Sequence, residues 1–159
     1  MRKNLSQNYF LDDIKVSTIY SGIKKTHNNE DDLLLIEFDE GTSVAGVFTQ
    51  SLISSASVNQ CKKNLAHSND PIVRAILVNS GNANAFTGSK GEETVLKISK
   101  YLSNKLKCNL NEIYTASTGV IGEQLDPNLI IQSIKLMKFY KKPDWVKAAT
   151  AIKTTDKFP

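Results

Sequence analysis

The chain has 159 residues, 40% of them hydrophobic and 23% charged, with a net charge of +4. That composition belongs to a globular protein with a buried core and excludes a disordered chain. Its basic residues are scattered in singles and pairs such as Lys62-Lys63 and Lys141-Lys142, which excludes the dense basic stripe of a nucleic-acid binder. No apolar stretch approaches a membrane span, so no membrane partner is expected. Met1 to Gln7 is basic with no apolar run after it. No signal peptide is therefore expected, and a cytoplasmic location follows by elimination. Cys61 and Cys108 lack CxxC or Cys/His spacing, and His27 and His67 stand alone. The expectation is free thiols in a reducing compartment and no metal site.

Residues 1–13 are polar and read as a loosely held start. Val16 to Tyr20 reads as a first strand, closed by Ser21-Gly22. The polar run from His27 to Asp32 is a loop by composition, with His27 solvated. Leu33 to Phe38 is an apolar run of strand length. Asp39 to Thr42 then supplies a turn, so Ser43 to Thr49 is expected to return as the second arm of a hairpin, bulged at Gly46. Leu52 to Val58 reads as another strand and Asn59 to Ala66 as a short helix.

Ile72 to Val78 is nearly continuous apolar sequence, as in a strand covered on both faces. It runs into Asn79-Ser80-Gly81-Asn82-Ala83-Asn84-Ala85, where asparagines and glycines favour a loop built on side-chain-to-backbone bonds. Successive N–H groups in such a loop can hold an anion, or the loop can be purely structural. Neither GxxxxGK[ST] nor GxGxxG occurs, so it is not a phosphate loop. Gly91 to Lys107 has apolar residues at helical spacing, Val95, Ile98, Leu102 and Leu106, with acidic residues early and basic ones late.

Glu112 to Thr115 reads as a strand leading into Ala116-Ser117-Thr118-Gly119-Val120-Ile121-Gly122-Glu123. A sharp turn there would expose backbone N–H groups and a threonine hydroxyl, donors that can hold a developing negative charge on oxygen. An ordinary strand-to-helix connection has the same composition. Asp126 and Pro127 open a helix expected to reach Tyr140, with Ile130, Ile134 and Met137 on its buried face. Asp144 caps a last helix over Val146 to Ile152, before Thr154-Thr155-Asp156-Lys157. At least four strands and three helices are expected, as an α/β mixed sheet with helices packed on its faces.

Several blocks together resemble one family. They are Ser21 to Lys24, Asp32 to Ile36, Val44 to Thr49, Val78 to Ala85 (VNSGNANA), Ser117 to Glu123 (STGVIGE), and Trp145 to Asp156. The chain is similar to the N-terminal part of ornithine acetyltransferase, the bifunctional glutamate N-acetyltransferase of arginine biosynthesis. The resemblance implies that residues 1–159 are a truncated N-terminal (alpha chain) portion of that self-cleaving fold, forming a single domain. It implies a second (beta) chain, absent here, that begins with the nucleophilic threonine. The family assembles as a heterotetramer of two alpha and two beta chains. The acetyl group moves from N2-acetyl-L-ornithine to L-glutamate through an acetyl-threonine intermediate, with no cofactor and with acetyl-CoA left open as a co-substrate. The threonine–glycine pair of the family's oxyanion hole corresponds to Thr118 and Gly119, and the substrate-binding segment to Thr154, Thr155 and Lys157. A lysine stands at 157 where the family usually has a threonine. No threonine in this chain has the context of the nucleophile, so the chain alone is expected to be inactive. The alternative is a non-catalytic anion-binding module that uses the asparagine-rich loop.

Overall fold

The computed structural model describes residues 14–24, 29–138 and 143–156. The N-terminal segment 1–13, His27 and Lys157 lie outside the described residues, so the expectations placed on them do too. The order of elements is β1 (Ile14–Ile19), β2 (Leu33–Phe38), α1 (Ala56–Leu65), β3 (Ala75–Asn82), α2 (Gly88–Leu106), β4 (Ile113–Val120), α3 (Pro127–Leu136) and α4 (Trp145–Ile152). The strands form one mixed sheet in the order β1-β2-β3-β4. The pairs β1–β2 and β2–β3 are antiparallel, and β3–β4 is parallel. The parallel pair needs a long crossover, which α2 supplies. The sequence reading of a mixed sheet faced by helices holds.

Strand alternation divides the core. Leu33, Leu35, Ala75, Leu77 and Ile113 face one way and pack with Ile98 and Leu102 of α2 and Ile130 and Ile134 of α3. Met137 joins this cluster as core filler. Val16, Leu34 and Val78 face the other way, onto Ala148 and Ala151 of α4. The short helices are well begun: Asp126 accepts from the Asn128 N–H and Asp144 from the Lys147 N–H, at 2.9 Å each. Capping bonds of this kind contribute about 1 kcal/mol each.

Four expectations are corrected. The hairpin after β2 does not form, because both edges of β2 are taken by β1 and β3. Ser43 makes only a single bridge to Ile72, and Val44 and Phe48 pack instead against Cys61, Val73 and Tyr114. The segment expected as a strand over Leu52 to Val58 is irregular up to Ser55, whose hydroxyl accepts from the Val58 N–H to start α1 three residues earlier than read. The helix α3 stops at Leu136, and its expected extension includes residues outside the described set. Both β3 and β4 run on through the glycines that were read as loop and sharp turn, pairing in register to Asn82 and Val120.

The α1 helix closes most of the outer edge of β4. Asn64 Nδ2 donates to the Ile113 carbonyl at 2.8 Å and Cys61 Sγ to the Thr115 carbonyl at 3.3 Å. An edge strand with its carbonyls occupied is a poor template for further pairing. Both cysteines are free, Cys61 buried and Cys108 half-buried. Burial pushes the Cys61 thiol up, and the Thr115 backbone partly offsets it. Burial and then the charge of Glu112 push Cys108 up. Burial and then Cys61 do the same to the Tyr114 phenol.

A pH dependence follows. An unfolded thiol releases its proton near pH ~8.5, whereas the folded chain still holds it. Below that pH the contribution to stability is fully present. Above it the unfolded state binds fewer protons, so stability is lost as pH rises toward the folded values. Urea melts should show a falling midpoint between about pH 8 and pH 10, with a shallower fall in Cys61→Ala.

Candidate active site

At the C-terminal ends of the parallel pair, Ser80 lies opposite Thr118 and Gly81 opposite Gly119. Both glycines have left-handed backbone, with φ of +98° at Gly81 and +131° at Gly119. They are also a steric requirement. A Cβ on Gly119 would meet the Gly81 carbonyl carbon and, at 2.6 Å, the Asn82 nitrogen. A Cβ on Gly81 would lie 2.8 Å from the Lys24 Cα. Three backbone segments, Ile23-Lys24, Gly81 and Gly119, therefore stack at closer range than any side chain allows.

Alternation aims the groups around this stack. The Val120 carbonyl accepts from the Ala83 N–H at 2.8 Å, toward β3. The Ile113 and Thr115 carbonyls point to the outer edge, toward α1. Gly119 shares the odd register with Ile113 and Thr115, so its N–H faces that outer edge, beyond the part that α1 covers. Thr118 shares the face of its partner Ser80, whose hydroxyl donates to the Ala151 carbonyl of α4 at 2.6 Å.

An open cleft of about 590 Å³ results. Its floor is Gly81, Thr118, Gly119 and Val120, and its walls are Ile23, Lys24, Glu123, Thr154 and Thr155. The structure thus brings together four of the five sequence-predicted site residues: Thr118 and Gly119 from β4, and Thr154 and Thr155 from the segment after α4. The fifth, Lys157, lies outside the described residues. Thr118 is half-buried and Gly119 exposed, and both line the cleft. A second cavity of about 460 Å³, lined by residues such as Asn59, Lys63, Glu92 and Leu96, holds none of the predicted residues.

Sequence reasoning assigned no individual role to Lys24, Gly81 or Glu123. The glycine in VNSGNANA was a readable signal for a close approach. Lys24 carried no signal beyond its place in the Ser21–Lys24 block, being one of 20 basic residues. The asparagines of the same block are spent on structure. Asn79 Nδ2 donates to the Asn82 carbonyl, Asn82 Nδ2 to Glu123 and Asn84 Nδ2 to Gly91, at 2.8, 3.2 and 3.1 Å. Buried amides with backbone partners hold the chain in shape, which is a structural role.

A family model for the ArgJ family matches residues 15–159. The chain belongs to the ArgJ family. It is 45% identical over 158 residues to the arginine biosynthesis bifunctional protein ArgJ of Bartonella henselae, and 45% identical over 150 residues to that of Bartonella quintana. These alignments cover 99% and 94% of this chain but 37% and 35% of those proteins, so the chain spans little more than a third of the curated relatives it matches. Among solved structures it resembles ArgJ of Bacillus halodurans, with a TM-score of 0.81 and 27% identity over 91% of this chain and 74% of that one. It also resembles the ornithine acetyltransferase of Mycobacterium tuberculosis crystallised with ornithine, at TM-score 0.78 and 27% identity, covering 92% of this chain and 78% of that one.

Chemically, the cleft is lined by three hydroxyls, backbone amides, a lysine and a carboxylate. Among the described residues, no histidine or cysteine lines it. Nor does a hydrogen bond, among the described residues, pair a hydroxyl of the cleft with a base, the pairing that an activated nucleophile has. Among the described residues no group of three or more His, Cys, Asp or Glu could hold a metal, and no helix is long and apolar enough to cross a membrane.

Proposed function

We propose that this chain is the oxyanion-stabilising half of an acetyltransferase that moves an acetyl group from N2-acetyl-L-ornithine to L-glutamate in cytoplasmic arginine biosynthesis. A threonine at the start of a second chain attacks the acetyl carbonyl through its Oγ. The carbonyl electrons move onto oxygen, and the oxyanion accepts hydrogen bonds from the Thr118 hydroxyl and the Gly119 N–H. The tetrahedral intermediate collapses, the C–N bond breaks, and ornithine leaves with the proton that the threonine lost. The glutamate amine then attacks the acetyl-threonine ester and regenerates the hydroxyl. Thr154 and Thr155 line the pocket for the amino acid, and acetyl-CoA is a second candidate acetyl donor. Self-cleavage of a longer precursor supplies the second chain, in a heterotetramer of two alpha and two beta chains.

One observation carries this reading: Thr118 and Gly119 open, side by side, into the cleft walled by Thr154 and Thr155. The test is transfer of label from N2-[14C]acetyl-ornithine to glutamate. The full-length protein should form labelled N-acetylglutamate, and residues 1–159 alone should form none. Transfer by residues 1–159 alone, or no transfer by the full-length protein, overturns the proposal.

A further inference from the structure

We infer that Lys24 is a positioning residue whose ammonium closes the C-terminal end of α4 and so holds Thr154 and Thr155 against the glycine stack. Lys24 Nζ donates to the Lys153 carbonyl at 2.7 Å, and Lys153 is the residue that ends α4. The last carbonyls of a helix carry its negative partial charge and lack intrahelical partners, so a cation there is held by both. The Lys24 side chain is only 12% exposed, and its ion pair with Glu30 Oε2 is at 3.8 Å, so the carbonyl is the closer partner.

The other end of the residue is fixed as well. The Lys24 N–H donates to Asp32 Oδ2 at 2.8 Å. Asp32 is fully buried, and its other carboxylate oxygen accepts from the Ser21 N–H at 2.6 Å and the Ser21 hydroxyl at 2.5 Å. The Lys24 Cα is the atom that leaves no room for a Cβ on Gly81. Lys24 therefore spans the cleft from the glycine floor to the threonine wall, tied at both ends. Ser80 makes a parallel tie to Ala151, two residues earlier in α4. Without the ammonium, α4 keeps its tie through Ser80, but the segment 153–156 that follows it loses its anchor to the floor.

The kinetic arm of the test rests on the acetyl-transfer reading; the exchange arm does not. Amide hydrogen exchange is compared in the full-length protein, Lys24→Met and Lys24→Arg. Lys24→Met should accelerate exchange at residues 153–156 about tenfold while β3 and β4 keep their protection, and Lys24→Arg, which keeps a cation and donors, should restore it. Unchanged exchange at 153–156, or uniform acceleration throughout, overturns the inference. With N-acetylornithine, Lys24→Met should raise KM about tenfold with kcat within about twofold. A fall in kcat at constant KM overturns it by putting Lys24 in the chemistry. If the wild-type protein transfers no acetyl group, the proposed function fails while the exchange result still decides the role of Lys24.

Discussion

Thr118→Ala in the full-length protein is expected to lower kcat for acetyl transfer by about 10²–10³-fold, roughly 3–4 kcal/mol of transition-state stabilisation. The hydroxyl meets the substrate oxygen fully only when that oxygen is charged. The loss therefore falls on kcat, with KM nearly unchanged. Thr118 is half-buried near the end of an edge strand, so truncation leaves no large cavity and thermal stability should stay within about 1 kcal/mol. Thr118→Ser keeps the hydroxyl and should retain activity to within about tenfold. A loss of only a few-fold in Thr118→Ala, measured by steady-state transfer kinetics, would remove this residue from the oxyanion site.

Gly119→Ala is expected to fail in a different way, through the fold. The added Cβ meets the Gly81 carbonyl carbon and the Asn82 nitrogen, and both are backbone atoms that no rotamer change can move aside. Strain from the positive φ costs about 1–3 kcal/mol, and overpacking costs about as much again. Against a typical total of about 5–15 kcal/mol, this is a large fraction. For a chain of this size the melting temperature should fall by roughly 10 °C. The last residues of β4 must also part from β3, which displaces the Gly119 amide from the cleft and lowers activity with stability. Gly122→Ala is the control: its φ is +83° but nothing lies within 4 Å of an added Cβ. It should cost only about 1 kcal/mol, the conformational part alone. Equal melting temperatures for the two variants would show that the β3–β4 approach does not require a glycine.

Much of this fold was legible in the residues. The apolar run at 33–38 is β2 to the residue, and the 3.6-residue spacing of Val95, Ile98 and Leu102 is the buried face of α2. Asp126-Pro127 and Asp144 start their helices as local capping chemistry requires. Thr118 and Gly119 were singled out through the resemblance of STGVIGE, and Thr154 and Thr155 through that of the Trp145–Asp156 block; the structure places all four on one cleft. The signals of strand and helix are short-range: propensity, caps and periodicity act within one turn or one strand.

What the residues could not carry was pairing. The hairpin read after β2 was locally reasonable, but β2 has only two edges, and β1 and β3 occupy them. The same limit hid the purpose of Gly81 and Gly119. Each alone signals a turn, and only their registration across a parallel pair reveals a backbone contact too close for a Cβ. By itself, then, the sequence determined where most of the helices and strands lie and which short blocks carry hydroxyl and glycine donors. The tertiary structure decided that Gly81, Thr118 and Thr154, which lie 57, 94 and 130 residues along the chain from Lys24, come together with it in one cleft. Contacts of that separation depend on strand order and helix docking, which no local pattern specifies.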